Sequence, residues 1–350
     1  MFEPAIILTL LIDGLTNGAI YAMMALGIVV LYSVTSVINV AQGEFVMLSA
    51  LSIASLRAAK IPGVLYIAVV GLIFWSIFNA LAMMRQGAAP RQLKIWPILW
   101  PLFLAGLLIS VVPPLAKAHL PYPLQIFIAV VLTTLLGPIC YRLVLEPLPK
   151  ASILVFLILA IGLHLALTGL GLAFWGPQPY DLPPFSKGGM ILGPAYVSYQ
   201  ALWLLAISAL LMLALYLFFN HTIYGKALRA AAVNRLGARL MGISAVRAGR
   251  LSFSISVFLS AVAGVLITPI TKMVYDFGFL IGLKGFVGAI IGGLTNPVIA
   301  ALGAIFVGVA EQFSAFYISS AYKDVIVFLL IIPVLLLRSL QHQDFEEHVD

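Results

Sequence analysis

Long, uninterrupted apolar runs are the feature that most limits how this chain can fold. They lie near residues 5–32, 39–56, 63–84, 95–116, 122–145, 151–175, 197–219, 250–271, 284–310 and 323–338. In hydrocarbon every backbone polar group must be hydrogen-bonded within the protein, and continuous apolar runs of this length meet that requirement as helices. At roughly 20 residues per crossing, they predict an all-α, polytopic transmembrane bundle of about 8–10 spans.

The composition indicates that lipid is the solvent for much of the surface. Of the 350 residues, 63% are hydrophobic and 9% are charged, whereas a soluble domain has about 25% charged residues. The formal net charge of +7 needs no nucleic-acid partner, because the basic residues cluster in short loops between the apolar runs. Cys140 is the single cysteine, which excludes an internal disulfide and a thiolate metal site.

The basic residues also predict the orientation of the chain. The densest cluster lies in segment 220–250 and comprises Lys226, Arg229, Arg235, Arg239, Arg247 and Arg250. We expect this segment to be cytoplasmic, with Arg85, Arg91, Lys94, Arg142 and Lys150 on the same side. Segment 176–198 is then external, flanked by the interfacial aromatic residues Trp175, Tyr180, Tyr196, Tyr199 and Trp203. The first run is too long for a signal-peptide core, and the N-terminus lies outside if all preceding runs cross.

Segment 220–250 has the pattern of an amphipathic helix. Leu228, Ala232, Leu236 and Leu240 recur every four residues and predict one helical stripe, with the basic residues on the remaining surface. Gly242 is well placed to end that helix. Because a short helix is marginally stable alone, it should rest either on a partner protein or on anionic lipid. Periodicity does not distinguish the two.

Ionisable groups within the runs are candidates for functional roles, since an unpaired charge in lipid is costly. Glu44 follows Asn39 and Gln42 near the start of a run, where it could face a permeation path. Alternatively, Asn39 caps the helix and Glu44 complements the helix dipole. His164, in the middle of a run, fits a hydrogen-bonded packing role better than proton transfer. Asp13, Glu146 and Glu311 lie near the ends of runs.

The run 284–310 is rich in glycine and is interrupted by Thr295, Asn296 and Pro297. It predicts either one broken helix or a re-entrant hairpin. Freed carbonyl groups at Thr295 and Asn296 would be tolerated only inside protein or along a cavity. The pairs Gly14 and Gly18, and Gly288 and Gly292, are each four residues apart, which favours close helix packing over a direct ligand role.

Catalytic motifs are absent from the sequence. The five histidines are scattered and form no HExxH motif, and there is no GxxxxGK[ST] loop. We therefore expect a chain that is not an enzyme and that binds no metal and no cofactor of its own. Any ATP would be hydrolysed on another polypeptide.

Several segments together resemble a known family. Residues 13–27 (DGLTNGAIYAMMALG), 38–44 (INVAQGE), 225–243 (GKALRAAAVNRLGARLMGI), 284–294 (KGFVGAIIGGL) and 322–326 (YKDVI) are similar to branched-chain amino acid ABC transporter permeases of the LivH type. The resemblance covers about 5–56 and 122–338, and the ordered set of motifs is more specific than any one of them.

The resemblance implies that the chain is a multi-pass protein of the bacterial cytoplasmic (inner) membrane and one subunit of a larger assembly. Its expected partners are a second permease subunit, two ATP-binding subunits, an extracytoplasmic solute-binding protein and the lipid bilayer. By the same resemblance, the contact with an ATPase subunit would involve Lys226, Arg229, Asn234, Ala238, Arg239 and Gly242. Asn39, Gln42, Glu44, Thr295 and Asn296 are the candidates for the translocation path. The alternatives are a permease for another small solute, such as urea or an amide, and a secondary transporter or channel.

The chain departs from the family pattern at several positions. Gln42 stands where histidine is usual, Asn234 where an acidic residue is common, and Glu146 where a basic residue is typical. Residues 60–120 exceed the usual length and are expected to form an added pair of helices. The resulting division is one permease domain over 1–340, with the insertion at 60–120, the coupling loop at 220–250 and a polar tail at 341–350.

Overall fold

The computed structural model describes residues 4–85, 95–118, 120–148 and 151–336. Its helices are α1 (Pro4–Thr35), α2 (Glu44–Arg57), α3 (Gly63–Arg85), α4 (Trp96–Lys117), α5 (Tyr122–Cys140), α6 (Ile153–Trp175), α7 (Tyr199–His221), α8 (Ile223–Val233), α9 (Arg235–Leu240), α10 (Ala245–Ile267), α11 (Phe277–Ile291), α12 (Pro297–Tyr317) and α13 (Lys323–Leu329). The predictions made for Arg91, Lys94, Lys150 and the tail 341–350, and for the side chain of Arg85, lie outside the described residues.

Within the described residues, eight helices are long and apolar enough to cross a membrane, which confirms the predicted all-α bundle. They are α1, α3, α4, α5 with its continuation to Leu145, α6, α7, α10 and α12. The run 39–56 is not a span of its own: α2 has 14 residues, or about 21 Å of helix against about 30 Å of hydrocarbon. A 3₁₀ turn, Val40–Gly43, precedes α2.

The run 284–310 is a helical hairpin, so the prediction of one broken helix is wrong. The chain turns at 292–296, where Gly293 adopts a φ of 68° that favours glycine. Asn296 then caps α12, accepting hydrogen bonds from the backbone N–H groups of Val298 and Ile299. At the turn, Leu294 N–H donates to the Ala289 carbonyl, and Ala300 N–H donates to the Asn296 carbonyl.

Glycines allow the central helices to approach closely, as their spacing predicts. A Cβ at Gly14 or Gly18 of α1 would collide with the backbone of α12 at Val309 or Ile305. Gly288 of α11 is equally close to Ala304 of α12. The packing role of both glycine pairs is therefore confirmed, and α1 becomes the buried centre of the bundle, surrounded by α7, α10, α11 and α12.

Two short strands were not predicted from the sequence. β1 (Gly189–Leu192) and β2 (Ala195–Ser198) form an antiparallel hairpin in which Leu192 pairs with Ala195 across Gly193 and Pro194. Gly193 has a φ of 59°, the left-handed conformation that such a tight turn requires. The hairpin lies between the spans α6 and α7, where the sequence predicts an external segment.

The described part of 60–120 contains α3 and α4, which pack against each other. Ser76 Oγ donates a 2.8 Å hydrogen bond to the Ile98 carbonyl, and Asn79 Nδ2 donates one of 2.7 Å to the Pro97 carbonyl. α3 in turn packs on α5. These bonds satisfy polar side chains of α3 with carbonyl groups of α4, inside the helix pair.

Candidate functional site

The turn before α2 brings Asn39 and Gln42 into one buried polar network. Gln42 Nε2 donates to the Ser256 carbonyl at 2.8 Å, and Ser256 Oγ donates to Gln42 Oε1 at 2.7 Å. Gln42 also contacts Ser260 Oγ, and Asn39 Nδ2 donates to Gln42 Oε1. The prediction that Asn39 caps the helix through its side chain is wrong, because that side chain bonds to Gln42 instead. The network fixes the turn against α10.

Glu44, the first residue of α2, is joined to the middle of α6. Its side chain is 0% exposed, and Glu44 Oε1 lies 2.8 Å from His164 Nδ1. Glu44 Oε2 is buried and receives no hydrogen bond from the described residues. The His164 ring stacks on Phe279 of α11, with the ring centroids 4.5 Å apart. The structure therefore brings together Glu44 and His164, which the sequence analysis considered separately.

The starts of α2 and α11 meet at this place. Gly43 and Gly278 touch so closely that neither has room for a side chain. His164 is the twelfth residue of the 23 in α6, so the contact lies near the middle of the bundle. Two helix starts thus converge on Glu44, an arrangement that transporters use near the bilayer midplane.

A second cluster of charges, in which Lys284 and Glu311 are buried, was not predicted from the sequence. Lys284 Nζ lies 2.7 Å from Glu311 Oε1 and 2.7 Å from Asp324 Oδ1, and Lys323 Nζ lies 3.8 Å from Glu311. Tyr21 donates a 2.7 Å hydrogen bond to Glu311 Oε2. Two cations and two anions balance one another, so this ionic cluster joins α1, α11, α12 and α13 without an uncompensated charge. Its sequence signal was Lys284 within an apolar run.

A third cluster ties the α3–α4 pair to the bundle. Glu146, which stands where the family usually has a basic residue, bonds to Arg142 and to Arg250, the latter at 2.9 Å. Arg142 Nη2 also donates to Asn79 Oδ1 of α3 at 2.6 Å. Arg250 lies over the Trp75 ring, 4.9 Å from its centroid. Glu146 therefore pairs with two arginines at the end of the π-helical turn Tyr141–Leu145.

The predicted coupling segment is two helices rather than one. Asn234 leaves the helical conformation and caps α9, with its Oδ1 accepting from Gly237 N–H at 2.8 Å. The predicted four-residue stripe is broken there: Leu228 is buried, whereas Leu236 and Leu240 are 70% and 81% exposed. Gly242 has a φ of 81° and ends the segment, as predicted.

All the candidate coupling residues except Ala238 are exposed. Lys226, Arg239 and Gly242 are exposed, whereas Ala238 is buried. Asn234 is exposed, but its side-chain oxygen serves the cap, and Arg229 donates to Asn220 Oδ1 at 2.6 Å. Four neighbouring apolar side chains that the sequence analysis did not single out together are exposed and form a surface that we call the α9 knob: Val233, Leu236, Leu240 and Met241.

Thr295 and Asn296 do not join Glu44. They lie at the turn between α11 and α12, and Thr295 lines a cavity of about 820 Å³ whose walls also include Ser36, Asn220 and Arg229. Arg235 of α9 donates to Ser36 Oγ at 2.9 Å, so this cavity opens beside the coupling segment. The five candidate path residues therefore belong to two places, one near mid-bundle and one at the end of the bundle that carries α8 and α9.

The chain is similar in sequence to known membrane-transport proteins. The model of the family described as branched-chain amino acid transport system / permease component matches residues 97–335. The chain is 29% identical over 332 residues to the high-affinity branched-chain amino acid transport system permease protein LivH of Escherichia coli K12, covering 93% of this chain and 91% of the relative. It is 28% identical over 334 residues to BraD of Pseudomonas aeruginosa, covering 94% and 92%.

A probable LivH of Methanocaldococcus jannaschii is 33% identical over 135 residues, which cover 37% of this chain and 43% of that relative. No solved structure matches the chain.

Proposed function

The chain belongs to the permease family of branched-chain amino acid transport systems, and on that premise we propose that it imports branched-chain amino acids across a bacterial cytoplasmic membrane. As a member of this family it is a multi-pass transport subunit of a multi-subunit ABC system rather than an enzyme. The observation that carries the proposal is the family match over 97–335. The substrate class is supported by LivH and BraD, which align with the chain over nine-tenths of both lengths. Both are named for high-affinity branched-chain amino acid transport.

The proposed assembly contains this chain, a second permease subunit, two ATP-binding subunits and an extracytoplasmic binding protein. ATP stays on the ATP-binding subunits. ATP binding there would move α8 and α9, and the bundle would respond by shifting between two packings for which its ligands have different affinities. The contacts of α8 with α1, α7 and α10 supply a physical route for that movement.

We propose the α9 knob as the contact with an ATP-binding subunit. Leu240 and Met241 are more than four-fifths exposed, beside the exposed cations Lys226 and Arg239. An apolar centre with a charged rim is typical of protein–protein interfaces. Arg229 is exposed but already donates to Asn220, so Arg239 is the better test of the basic rim.

The docking contact is tested by Leu240→Asp combined with Arg239→Glu. The variant should insert into the membrane normally but lose the ATP-binding subunits when the tagged chain is purified in mild detergent. Lys272→Glu is the matched control, because Lys272 is exposed and its one ion pair within the described part of the chain is with the exposed Asp181. Retention of the ATP-binding subunits by the double variant would contradict the docking contact and favour α9 lying on anionic lipid.

Import of urea or another small amide is the main alternative substrate class, and a secondary transporter is the alternative mechanism. Binding assays on the cognate extracytoplasmic protein separate the substrates, since leucine, isoleucine or valine should bind and urea should not. Uptake that continues after ATP depletion, with no ATP-binding subunit recovered, would favour the secondary transporter.

A further inference from the structure

The cavity of about 820 Å³ beside the coupling segment lies between four helices. Its walls come from the last part of α1, the last part of α7, α8 and the first part of α12, and we call it the α8 cavity. Within α1 the lining residues run from Leu26 to Val34, and within α12 from Pro297 to Ile305, each about 12 Å of helix. The α8 cavity is therefore roughly as deep as one leaflet, since the whole hydrocarbon core is about 30 Å thick.

The polar and apolar side chains of the α8 cavity are separated by depth. Asn220, Arg229 and Thr295 lie at the end that carries α8 and α9, which the basic residues predict to be cytoplasmic. The deeper part of the wall is apolar, with Leu26, Val29, Met212, Leu215, Ala301 and Ile305. A ligand that fits this wall has one polar end and a long apolar body.

Close helix packing limits the α8 cavity at its deeper end. Gly18 of α1 lies so near α12 that an added Cβ would be 2.7 Å from the Ile305 Cα, and at Gly14 it would be 2.7 Å from the Val309 Cα. The backbones of α1 and α12 therefore touch beyond Ile305. The α8 cavity does not continue between these two helices as a path across the membrane, so its ligand enters from the side or from the α8 end.

The sides of the α8 cavity include residues that are exposed on the outside of the bundle. Tyr216 of α7 is 59% exposed, and Val298 and Leu302 of α12 are 59% and 61% exposed. Of the eight candidate spans in the described residues, α7 has the smallest buried share, 11%. Apolar side chains exposed at membrane depth contact hydrocarbon, which is as apolar as leucine, so acyl chains have access to the α8 cavity.

Arg229 places a positive charge at the polar end of the α8 cavity. Its guanidinium, which has five N–H donors, gives one hydrogen bond to the neutral Asn220 Oδ1 at 2.6 Å. Arg235 reaches the same end, where it donates to Ser36 Oγ at 2.9 Å, and Ser36 also lines the cavity. The described lining residues include no aspartate and no glutamate. Two cations beside an apolar cavity complement an anionic group that carries hydrocarbon.

We propose that the α8 cavity binds an anionic phospholipid, with the phosphate beside Arg229 and an acyl chain between α1, α7 and α12. Basic pockets between membrane helices on the cytoplasmic side are typical sites for anionic headgroups, and arginine suits a phosphate because it can donate two parallel hydrogen bonds. Since α8 forms one wall, the lipid contacts the segment through which the ATP-binding subunits are proposed to act. The inference does not depend on which substrate is transported.

Photolabelling of the assembled complex in proteoliposomes tests the site without any transport. Two phospholipids with the same diazirine-bearing acyl chain, one phosphatidylglycerol and one phosphatidylcholine, are each added in trace amount to phosphatidylcholine vesicles. Mass spectrometry then gives the ratio of the two labels on peptides of this chain that cover 26–36 and 297–305. Phosphatidylglycerol should label these peptides about fivefold more, the preference expected from one basic residue near the membrane surface.

Variants separate the charge of the site from its shape. Arg229→Gln should bring the ratio close to one, whereas Arg229→Lys should retain most of the preference, because the attraction to the phosphate is largely Coulombic. Arg247→Gln is the matched control, since Arg247 is an exposed arginine of the same basic segment that is not among the lining residues. Ala232→Trp should fill the cavity and lower labelling by both lipids, whereas Ala230→Trp, at an exposed position of α8 outside the lining, should not.

Three results would overturn the proposal. The first is a ratio near one in the unaltered chain, and the second is a preference that Arg229→Gln leaves unchanged. The third is the absence of label from both peptides while Leu302→Cys cross-links to the second permease subunit, which would show that a helix of that subunit fills the α8 cavity instead.

Discussion

Glu311 and Glu44 are both buried carboxylates within a membrane bundle, yet their surroundings differ. Glu311 accepts from Tyr21 and lies beside Lys284 and Lys323, so both of its oxygens are engaged. Glu44 has one histidine and one oxygen without a donor. The difference is one of counter-charge: Glu311 lies beside two lysines, whereas among the described residues Glu44 is paired with a histidine alone.

The largest effect is expected from breaking the ionic cluster. Lys284→Met leaves Glu311 and Asp324 with only the more exposed Lys323 as counter-charge, and should lower the free energy of unfolding by about 3–5 kcal/mol. Equilibrium unfolding in mixed micelles measures the loss.

A compensated variant sharpens that result. Lys284→Met with Glu311→Gln removes one charge of each sign and should recover more than half of the lost stability, since Lys323 and Asp324 then balance. A double variant as unstable as Lys284→Met alone would show that packing of the lysine stem, rather than charge, dominates at this place.

An intermediate effect is expected at Glu146, which is paired but partly exposed. Glu146→Gln leaves Arg142 and Arg250 without their carboxylate and should cost about 2 kcal/mol, the range for hydrogen bonds to charged groups. The same unfolding assay applies. If Glu146→Gln lowered the free energy of unfolding as much as Lys284→Met does, the cost of breaking an ion pair in this bundle would not depend on how deeply the pair is buried.

The smallest stability change is expected at Glu44. Glu44→Gln should alter the free energy of unfolding by less than about 1 kcal/mol, because the amide oxygen can still accept from His164 while a buried charge is removed. A loss as large as that at Lys284 would make Glu44 a structural residue and would erase the contrast with Glu311.

Local sequence signals predicted much of this fold for physical reasons. The apolar runs predicted the spans because lipid forces each run to satisfy its own backbone. The spacing of Gly14 and Gly18 predicted close packing, and Gly242 predicted a helix end. Each of these signals depends on a few neighbouring residues.

The parts that sequence analysis missed depend on distant residues. His164 and Glu44 are 120 positions apart, and Tyr21 and Glu311 are 290 apart, so no periodicity connects them. The stripe Leu228 to Leu240 was misleading because Asn234 offered its side chain as a cap, which competes with continuing the helix. The length of α2 was missed because the 3₁₀ turn Val40–Gly43 belongs to the same apolar run in the sequence and was counted with the helix.

The central claim is that this chain is the permease of an ATP-driven importer of branched-chain amino acids. It is tested most directly by leucine uptake into proteoliposomes that contain the chain, its second permease and the ATP-binding subunits, supplied with the leucine-loaded binding protein. Uptake should require internal ATP and should cease when this chain is omitted. Uptake that continues without ATP, or without this chain, would contradict the account.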